Sequence, residues 1–568
     1  MSQDGPVPAP ASGHGGTHLI AAAIAHRVTT CFTLSGAHVF PVYDAAVGGK
    51  EAVLAAGDPR AAERSGPVRL IDTRHEQTAV FAAEAIGKLT RNPGLAALTA
   101  GPGVTNGITA ITGAHFNGSP LLVIGGRSPD VRWGEGALQE LDQPPILAGV
   151  TKSAATVHET SQIGTSTAAA LALAAQPHRG PVFLDIPMDV LFSWADFPDD
   201  PAALHPTPSQ RAAVDPDLLA AAASLVGQAR HPVLVLGGDV WMDDATDAAR
   251  RFAELLGIGV IANGMGRGIL PPEHPLLVTR ARAAAFADAD LVIVAGTPLD
   301  FRLGYGNFGD PVAKVIHIAD AASAASPKAT ISLAGDISQI FDGLGEQAIG
   351  QSRQADPGWA DGLREATLAS RAKDQALLTS TSSPIHPARI IGELLPRLTA
   401  DSIVIGDGGD FVSFAGKFIE PQQPGRWLDP GPYGALGTGP GYAMAARIAH
   451  PDAPVFLLMG DGAAGFSFMD VESLLRHQMP VVIIIGNNAG WALEKHPMRF
   501  LYGYDVIADL PATRFDLIAQ SFGCGGELVS DPQSIGPALD RAMSSGVPYV
   551  VNVLTDPEAA YPRSTTGV

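Results

Sequence analysis

Val455-Phe456-Leu457-Leu458-Met459-Gly460-Asp461-Gly462-Ala463-Ala464-Gly465 is the stretch that decides the fold. Its first five residues form an apolar run as long as one buried strand, the kind a parallel sheet covers on both faces. The run breaks into six residues from Gly460, too glycine-rich for regular structure. Ser467-Phe468-Met469-Asp470 then offers an N-cap with an acid three residues on, and Phe468, Val471, Leu474 and Leu475 recur at helical spacing. Pro480 precedes a second apolar run, residues 481–485, which ends in Gly486-Asn487-Asn488-Ala489-Gly490. The spacing predicts a strand–loop–helix–strand unit whose polar residues gather at the carboxyl ends of its strands, where open parallel sheets bind ligands.

Those residue types suit a hard cation. Mg²⁺ takes oxygen ligands in an octahedron and usually binds together with phosphates. Asp461 offers a carboxylate, Asn488 an amide oxygen and Gly490 a backbone carbonyl. Glycines around Asp461 let N–H groups approach a phosphate at a helix N-terminus. Asp461 and Asn488 lie 27 residues apart. The blander reading is an ordinary βαβ unit in which Gly and Asn only make turns.

Gly-Asp-Gly, a helix, a strand and Asn-Asn at this separation resemble the signature of the thiamine-diphosphate-dependent enzymes. The resemblance implies that Asp461, Asn488 and the Gly490 carbonyl bind Mg²⁺. It further implies that Gly460, Gly462, Ala463 and Ala464 line the diphosphate.

Composition excludes several classes. With 568 residues, 46% hydrophobic and 17% charged, the chain can bury a core and build about three or four domains. A net charge of −20 without a basic stretch argues against nucleic acid. Two cysteines, Cys31 and Cys524, supply neither a disulfide framework nor a metal set, which fits a reducing compartment. Residues 1–16 read as a loose tail without the features of a secretory or transit peptide, and no apolar run reaches the length of a membrane span. The expectation is a cytoplasmic protein.

Residues 17–195 read as a first domain. Strand-like runs at 30–34, 68–71, 95–99, 121–124 and 182–187 alternate with helical stretches, the pattern of a parallel sheet. Arg74-His75-Glu76-Gln77 opens a small-residue helix. A Glu that merely caps this helix is at least as good a reading from spacing alone. The segment nevertheless resembles the family's pyrimidine-binding domain, which implies that Glu76 binds N1′ of the aminopyrimidine and shares its proton. Gly101-Pro102-Gly103-Val104-Thr105-Asn106 matches the same domain, so Gly101 and Asn106 are cofactor-binding candidates. His38, in a Gly loop, is a catalytic candidate by the same resemblance, whereas His115 reads as structural. Gln139 and Gln143 lie in a segment similar to the family's substrate loop, although solvated loop amides are commoner.

A Pro- and Asp-rich linker leads to a middle domain, residues 205–350, with strand-like runs at 232–236, 259–262, 291–294 and 315–318. Asn263-Gly264-Met265-Gly266-Arg267-Gly268 is only a loose match to a dinucleotide fingerprint. Arg282, Asp300 and Arg302 resemble the acyl-CoA branch, oxalyl-CoA decarboxylase and 2-hydroxyacyl-CoA lyase, and Asp320 sits like a ribose or adenine contact. Surface salt bridges explain each of these residues equally well. ADP in this domain is a further reading the resemblance leaves open.

Residues 375–555 read as the diphosphate- and Mg²⁺-binding domain. Residues 403–410 give a strand and Gly loop ending at Asp410, apt for diphosphate contacts. Tyr433-Gly434-Ala435-Leu436 resembles the segment that bends the cofactor. It implies a Gly434 carbonyl on the 4′-amino group and a Leu436 wedge between the rings. Glu494 matches a reaction-centre Glu of keto-acid decarboxylases, a departure from typical acyl-CoA lyases; otherwise it is an exposed residue paired with Lys495 or Arg499. Residues 556–568 are read as a C-terminal lid, with a frayed terminus as the equal alternative.

The expected fold is therefore α/β, with three doubly wound parallel-sheet domains. The expected activity is a thiamine-diphosphate-dependent lyase, of the 2-hydroxyisobutyryl-CoA lyase type, that cleaves a 2-hydroxyacyl-CoA to formyl-CoA and an aldehyde or ketone. The alternatives are a 2-oxo-acid or oxalyl-CoA decarboxylase, an acetolactate-synthase-like enzyme, and a catalytically silent nucleotide-sensing scaffold. The family implies a homodimer or homotetramer with active sites shared between chains, acting on an acyl-CoA and a small carbonyl compound.

Overall fold

Strands buried on both faces must be apolar throughout, and the apolar runs of this chain form such strands. The computed structural model describes residues 12–207, 211–309, 312–351 and 354–561. The chain divides into two compact units, residues 1–209 and 210–568.

The first unit holds a six-stranded sheet, all parallel. Counted along the chain, its strands are Thr30–Thr33, Arg69–Asp72, Gly94–Leu98, Leu121–Arg127, Ser153–Thr156 and Pro181–Pro187. Their spatial order is 2-1-3-4-6-5. The order reverses between the first and third strands, and loops leaving their carboxyl ends make a crevice. His38 and Gly101 follow those two strands, so the fold itself brings them to one place.

The second unit holds two parallel sheets. In the middle sheet Pro232–Leu236, Gly259–Ala262, Leu291–Ala295, Lys314–Ala319 and Ile331–Ala334 run in the order 2-1-3-4-5. In the last sheet Ile403–Asp407, Trp427–Leu428, Val455–Gly460, Val482–Asn487, Gly525–Val529 and Tyr549–Leu554 repeat the 2-1-3-4-6-5 order of the first unit. Leu457 pairs with Ile405 on one side and Ile483 on the other, and all three are fully buried. These are the three doubly wound parallel sheets expected from sequence.

Three expectations need correction. Residues 12–16 are not part of a loose tail: Ser12–His14 pairs with Trp194–Asp196, and helix Gly15–Ala25 follows at once. The glycines there serve close packing, since a Cβ on Gly16 would fall 1.9 Å from the Pro41 carbonyl oxygen. Residues 1–11 lie outside the described residues. The glycine-rich stretch after Gly460 is not irregular either. It is helix Asp461–Ser467, and small residues let that helix lie close to its neighbours: a Cβ on Gly462 would fall 2.4 Å from the Trp491 ring. Ser467 ends that helix rather than capping the next, Asp470–Arg476. Edge strands 153–156, 331–334 and 525–529 give no sequence signal because their residues are small or mixed rather than an apolar run, and 427–428, Trp-Leu, because it is only two residues long.

Among the described residues, no helix is long and apolar enough to cross a membrane.

Helix Glu76–Thr90 seats directly on its sheet. A Cβ on Gly94 would fall 1.8 Å from the Ala83 carbonyl oxygen, backbone that cannot yield without moving the helix. Gly94→Ala should therefore destabilise the first unit by about 1–3 kcal/mol, measured as a lowered urea midpoint against wild type.

Candidate active site

The central strand Val455–Gly460 delivers Asp461 to the first position of the following helix. The Asp461 carboxylate is buried and accepts from the Gly490 N–H at 3.2 Å. Burial pushes this carboxyl up to about 6, against the pull of the Gly462 and Gly490 N–H groups. The neighbouring strand Val482–Asn487 delivers Asn488, whose Oδ1 is buried with no hydrogen-bond partner. Ala489 turns the chain with φ +53°, and Gly490 is pressed so near Ala508 that a Cβ would fall 2.9 Å from its carbonyl oxygen. A buried carboxylate and a bare amide oxygen on adjacent strand ends suit a hard cation, which would stabilise the ionised acid and satisfy the amide. Mg²⁺ with a diphosphate fits these residues.

Both line a cavity of about 550 Å³ together with Asp410, Gly434, Leu436 and Glu494. Gly408 and Gly460 line it too. Asp410 opens helix Asp410–Phe418, and its Oδ1 accepts from the Tyr561 N–H at 2.9 Å. The described part of the C-terminal segment thus reaches the rim of the cavity; residues 562–568 lie outside the described residues. Gly434 has φ +69°, the left-handed region that favours glycine. Glu494 is exposed on the first turn of helix Ala492–Tyr502. On the same helix Lys495 pairs with Asp509 at 2.7 Å, and Arg499 with Asp505 and Glu558.

The same cavity extends to Asn263, Gly264, Arg267 and Arg302. Asn263 Nδ2 is buried without a partner. Arg302 grips Asp300 through Nε (3.1 Å to Oδ1) and Nη2 (2.7 Å to Oδ2), and Asp300 also caps the Arg302 N–H. Arg282 is turned inward, donating to Asn263 Oδ1 at 2.9 Å and to the Arg302 carbonyl. Burial, with Arg267 and Arg302 nearby, pushes its pKa down to about 10. Asp320 is buried past the end of Lys314–Ala319. Arg302 and Arg267 both line the cavity, Arg302 held by Asp300 and Arg267 donating to the Ile419 and Gly416 carbonyls at 2.9 and 2.7 Å beside Glu420, with Arg282 behind them as a buttress.

In the first unit, helix Glu76–Thr90 is capped by His75, whose Nδ1 accepts from the Gln77 N–H at 3.1 Å. The cap is thus not Glu76, and the Glu76 carboxylate instead accepts from the Asn106 amide at 3.0 Å. Gln143 is buried, not solvated: its Oε1 accepts from the Gly101 N–H at 2.9 Å, and its Nε2 donates to the Gly126 carbonyl and to Asp185. Gln139 packs against Gly101 with φ +61°. His38 Nδ1 bonds Thr99 Oγ1 at 3.0 Å, and burial holds its imidazole below the usual value. His115 is exposed, edge-on to Phe116.

Two supporting residues escaped the sequence reading. Asp407 is wholly buried, and it accepts from the Gly437 and Gly439 N–H groups at 3.0 and 2.8 Å, which holds the segment carrying Gly434 and Leu436. Asn487, the first of the Asn pair, donates to Thr513 and Asn552. A polar residue ending an otherwise apolar strand was the available signal for both.

Burial pushes the Asp407 carboxyl from 3.8 to about 6 in spite of its N–H donors. The folded chain then holds a proton that the unfolded chain has released, so this group's stabilisation is full below about pH 4 and is lost as pH rises through 6. Between those limits wild type should lose on the order of 3 kcal/mol relative to Asp407→Asn, read as the difference in slope of urea-melt stability against pH.

Comparisons agree with this geometry. Residues 13–146, 219–344 and 407–553 match, in turn, the N-terminal thiamine-pyrophosphate-binding, central and C-terminal thiamine-pyrophosphate-binding domain models of the thiamine pyrophosphate enzymes. The chain is 44% identical to the acetolactate synthase large subunit of Mycobacterium tuberculosis, covering 97% of each chain. It is 32% identical to 2-hydroxyacyl-CoA lyase 2 of Homo sapiens over 95% of this chain and 90% of that one, and 32% identical to the Caenorhabditis elegans protein of the same name over 94% and 87%. This chain is an enzyme that belongs to the thiamine-diphosphate-dependent family, near the 2-hydroxyacyl-CoA lyases.

Proposed function

We propose that the protein is a carbon–carbon lyase that cleaves a 2-hydroxyacyl-CoA to formyl-CoA and an aldehyde or ketone, reversibly. The observation that carries this reading is the continuity of one cavity from Asp461 and Asn488 to Arg267 and Arg302. A nucleotide-bearing thioester needs cations for its phosphates at one end and the cofactor at the other. Glu494 at the cavity does not separate the readings, since its match to keto-acid decarboxylases speaks for the 2-oxo-acid alternative.

Thiamine diphosphate, when bound, supplies a carbon nucleophile and an electron sink for the C–C cleavage. Mg²⁺ would be held by Asp461, Asn488 Oδ1 and the Gly490 carbonyl. The glycines beside Asp461 and Asp410 would give the diphosphate N–H donors. Gly434 and Leu436 would shape the cofactor, and Glu76 would hold the proton shared with its aminopyrimidine. Asn106 keeps Glu76 oriented. His38 lies in the first-unit crevice as a further candidate for proton transfer. Glu494 takes the proton of the 2-hydroxyl as the C1–C2 bond breaks. The hydroxyl carbon leaves as the carbonyl product, and the thioester carbon gains a proton to leave as formyl-CoA. We infer a cytoplasmic homodimer or homotetramer in which Glu76 of one copy completes the site of another. The middle domain is read as taking the nucleotide end of coenzyme A.

A second reading is an acetolactate-synthase-like enzyme, favoured by the 44% identity over nearly the whole chain. Substrate decides between them. The lyase reading expects formyl-CoA from 2-hydroxyacyl-CoA thioesters; acetolactate and CO₂ from pyruvate without coenzyme A, and no formyl-CoA, would overturn it. Glu494→Gln should lower kcat by about 100- to 10,000-fold. Arg302→Ala should raise KM for the CoA thioester about tenfold and leave that of a pantetheine thioester nearly unchanged.

A further inference from the structure

The turn that carries Asn488 and Gly490 is conformationally unfavourable by itself. Ala489 sits at φ +53°, a region that side chains disfavour. Something outside the turn holds it. Part of the hold is backbone: the Trp491 N–H donates to the Ala508 carbonyl and the Leu510 N–H to the Ala489 carbonyl, both at 2.8 Å. The segment running from Ala508 to Thr513 is thus a strap laid along the turn.

The strap is anchored by buried amides. The Thr513 carbonyl accepts from Asn487 Nδ2 and from Asn552 Nδ2, each at 3.0 Å. Asn487 Nδ2 also donates to Asn552 Oδ1 at 3.1 Å, and Asn487 Oδ1 accepts from the Ala489 N–H at 3.3 Å. Asn552 Nδ2 reaches Asp516 Oδ1 at 3.1 Å, and Arg514 fixes Asp516 with two further bonds. Asn487, Asn552 and Asp516 are 1%, 0% and 1% exposed, and none lines the cavity. Asn552 interrupts an otherwise apolar strand, Tyr549–Leu554, in the middle of a sheet. An amide there replaces a residue that would bury better, and it is tolerated because both of its N–H donors and its oxygen find partners.

We propose that Asn552 is a positioning residue for the Mg²⁺ loop. It acts through Asn487 and the Thr513 carbonyl to hold Ala489 in its turn, and so aims Asn488 Oδ1 and the Gly490 carbonyl. The inference rests on the metal reading of Asp461 and Asn488 given above. Partners behind a metal ligand commonly set its affinity 10- to 100-fold, and this relay occupies that place.

The test is thiamine diphosphate binding at rising Mg²⁺, followed by quenching of the tryptophan fluorescence, to which Trp427 and Trp491 in the cavity wall contribute. Asn552→Leu should raise the Mg²⁺ concentration for half-saturation about 10- to 100-fold, while kcat at saturating Mg²⁺ recovers to near the wild-type value. If Asn552→Leu does not fold, Asn552→Ser, which removes the same amide without added bulk, reads the same shift. A variant that melts at a lower temperature without its cofactor, yet keeps the wild-type Mg²⁺ dependence, would show a purely structural Asn552 and overturn the proposal. If wild-type binding does not depend on Mg²⁺ at all, the metal reading itself fails, an outcome distinct from the first.

Discussion

Asp461 holds a carboxylate out of water at the end of a central strand, with only backbone N–H groups to offset its charge. Such an arrangement is unfavourable unless a cation completes it. Beside it, Asn488 Oδ1 has lost water without gaining a donor. The surrounding structure is best understood as what makes this pair tolerable and keeps it aimed. The parallel sheet puts both residues on adjacent strand ends, the short helix of small residues lets Trp491 close over Gly462, and the Asn487–Asn552 pair lies behind the turn from Asn488 to Gly490.

The first unit and the last sheet share one strand order, and each solves the same mechanical problem. A glycine-rich loop at a switch point is too pliant to hold a ligand by itself. In the last sheet the buried Asp407 ties down Gly437 and Gly439. In the first unit Gln143, itself bonded to the buried Asp185, ties down Gly101. Glycine supplies the room for close approach, and a buried polar side chain from elsewhere in the chain restores the rigidity that glycine gives up.

Much of the site was legible because its chemistry is local. Asp461, Asn488 and Gly490 follow two apolar runs and can be placed on strand ends by inspection. Glu76 is different. Spacing alone allowed a capping role, and only the His75 side chain on the Gln77 N–H removes that role and leaves the Glu76 carboxylate to Asn106. For Gln143 the sequence leaves a substrate contact and a solvated amide open, because loop sequences do not announce burial; its bonds to Gly101, Gly126 and Asp185 span 42, 17 and 42 residues. Arg282 and Arg302 read alike in sequence, yet one is turned inward to Asn263 and the other lines the cavity.

The sequence by itself determined the class of the fold and the ends of the strands where ligands gather, because continuous apolar runs punctuated by Gly, Pro and Asn leave few other ways to bury the backbone. It also determined which residue types stand there. Tertiary structure alone decided which of those groups face a cavity and which face the protein. That depends on partners far away in the chain, such as Asn552 for Asn487 and Asp407 for Gly439, and a hydrogen bond between distant residues leaves no periodic trace in the order of amino acids.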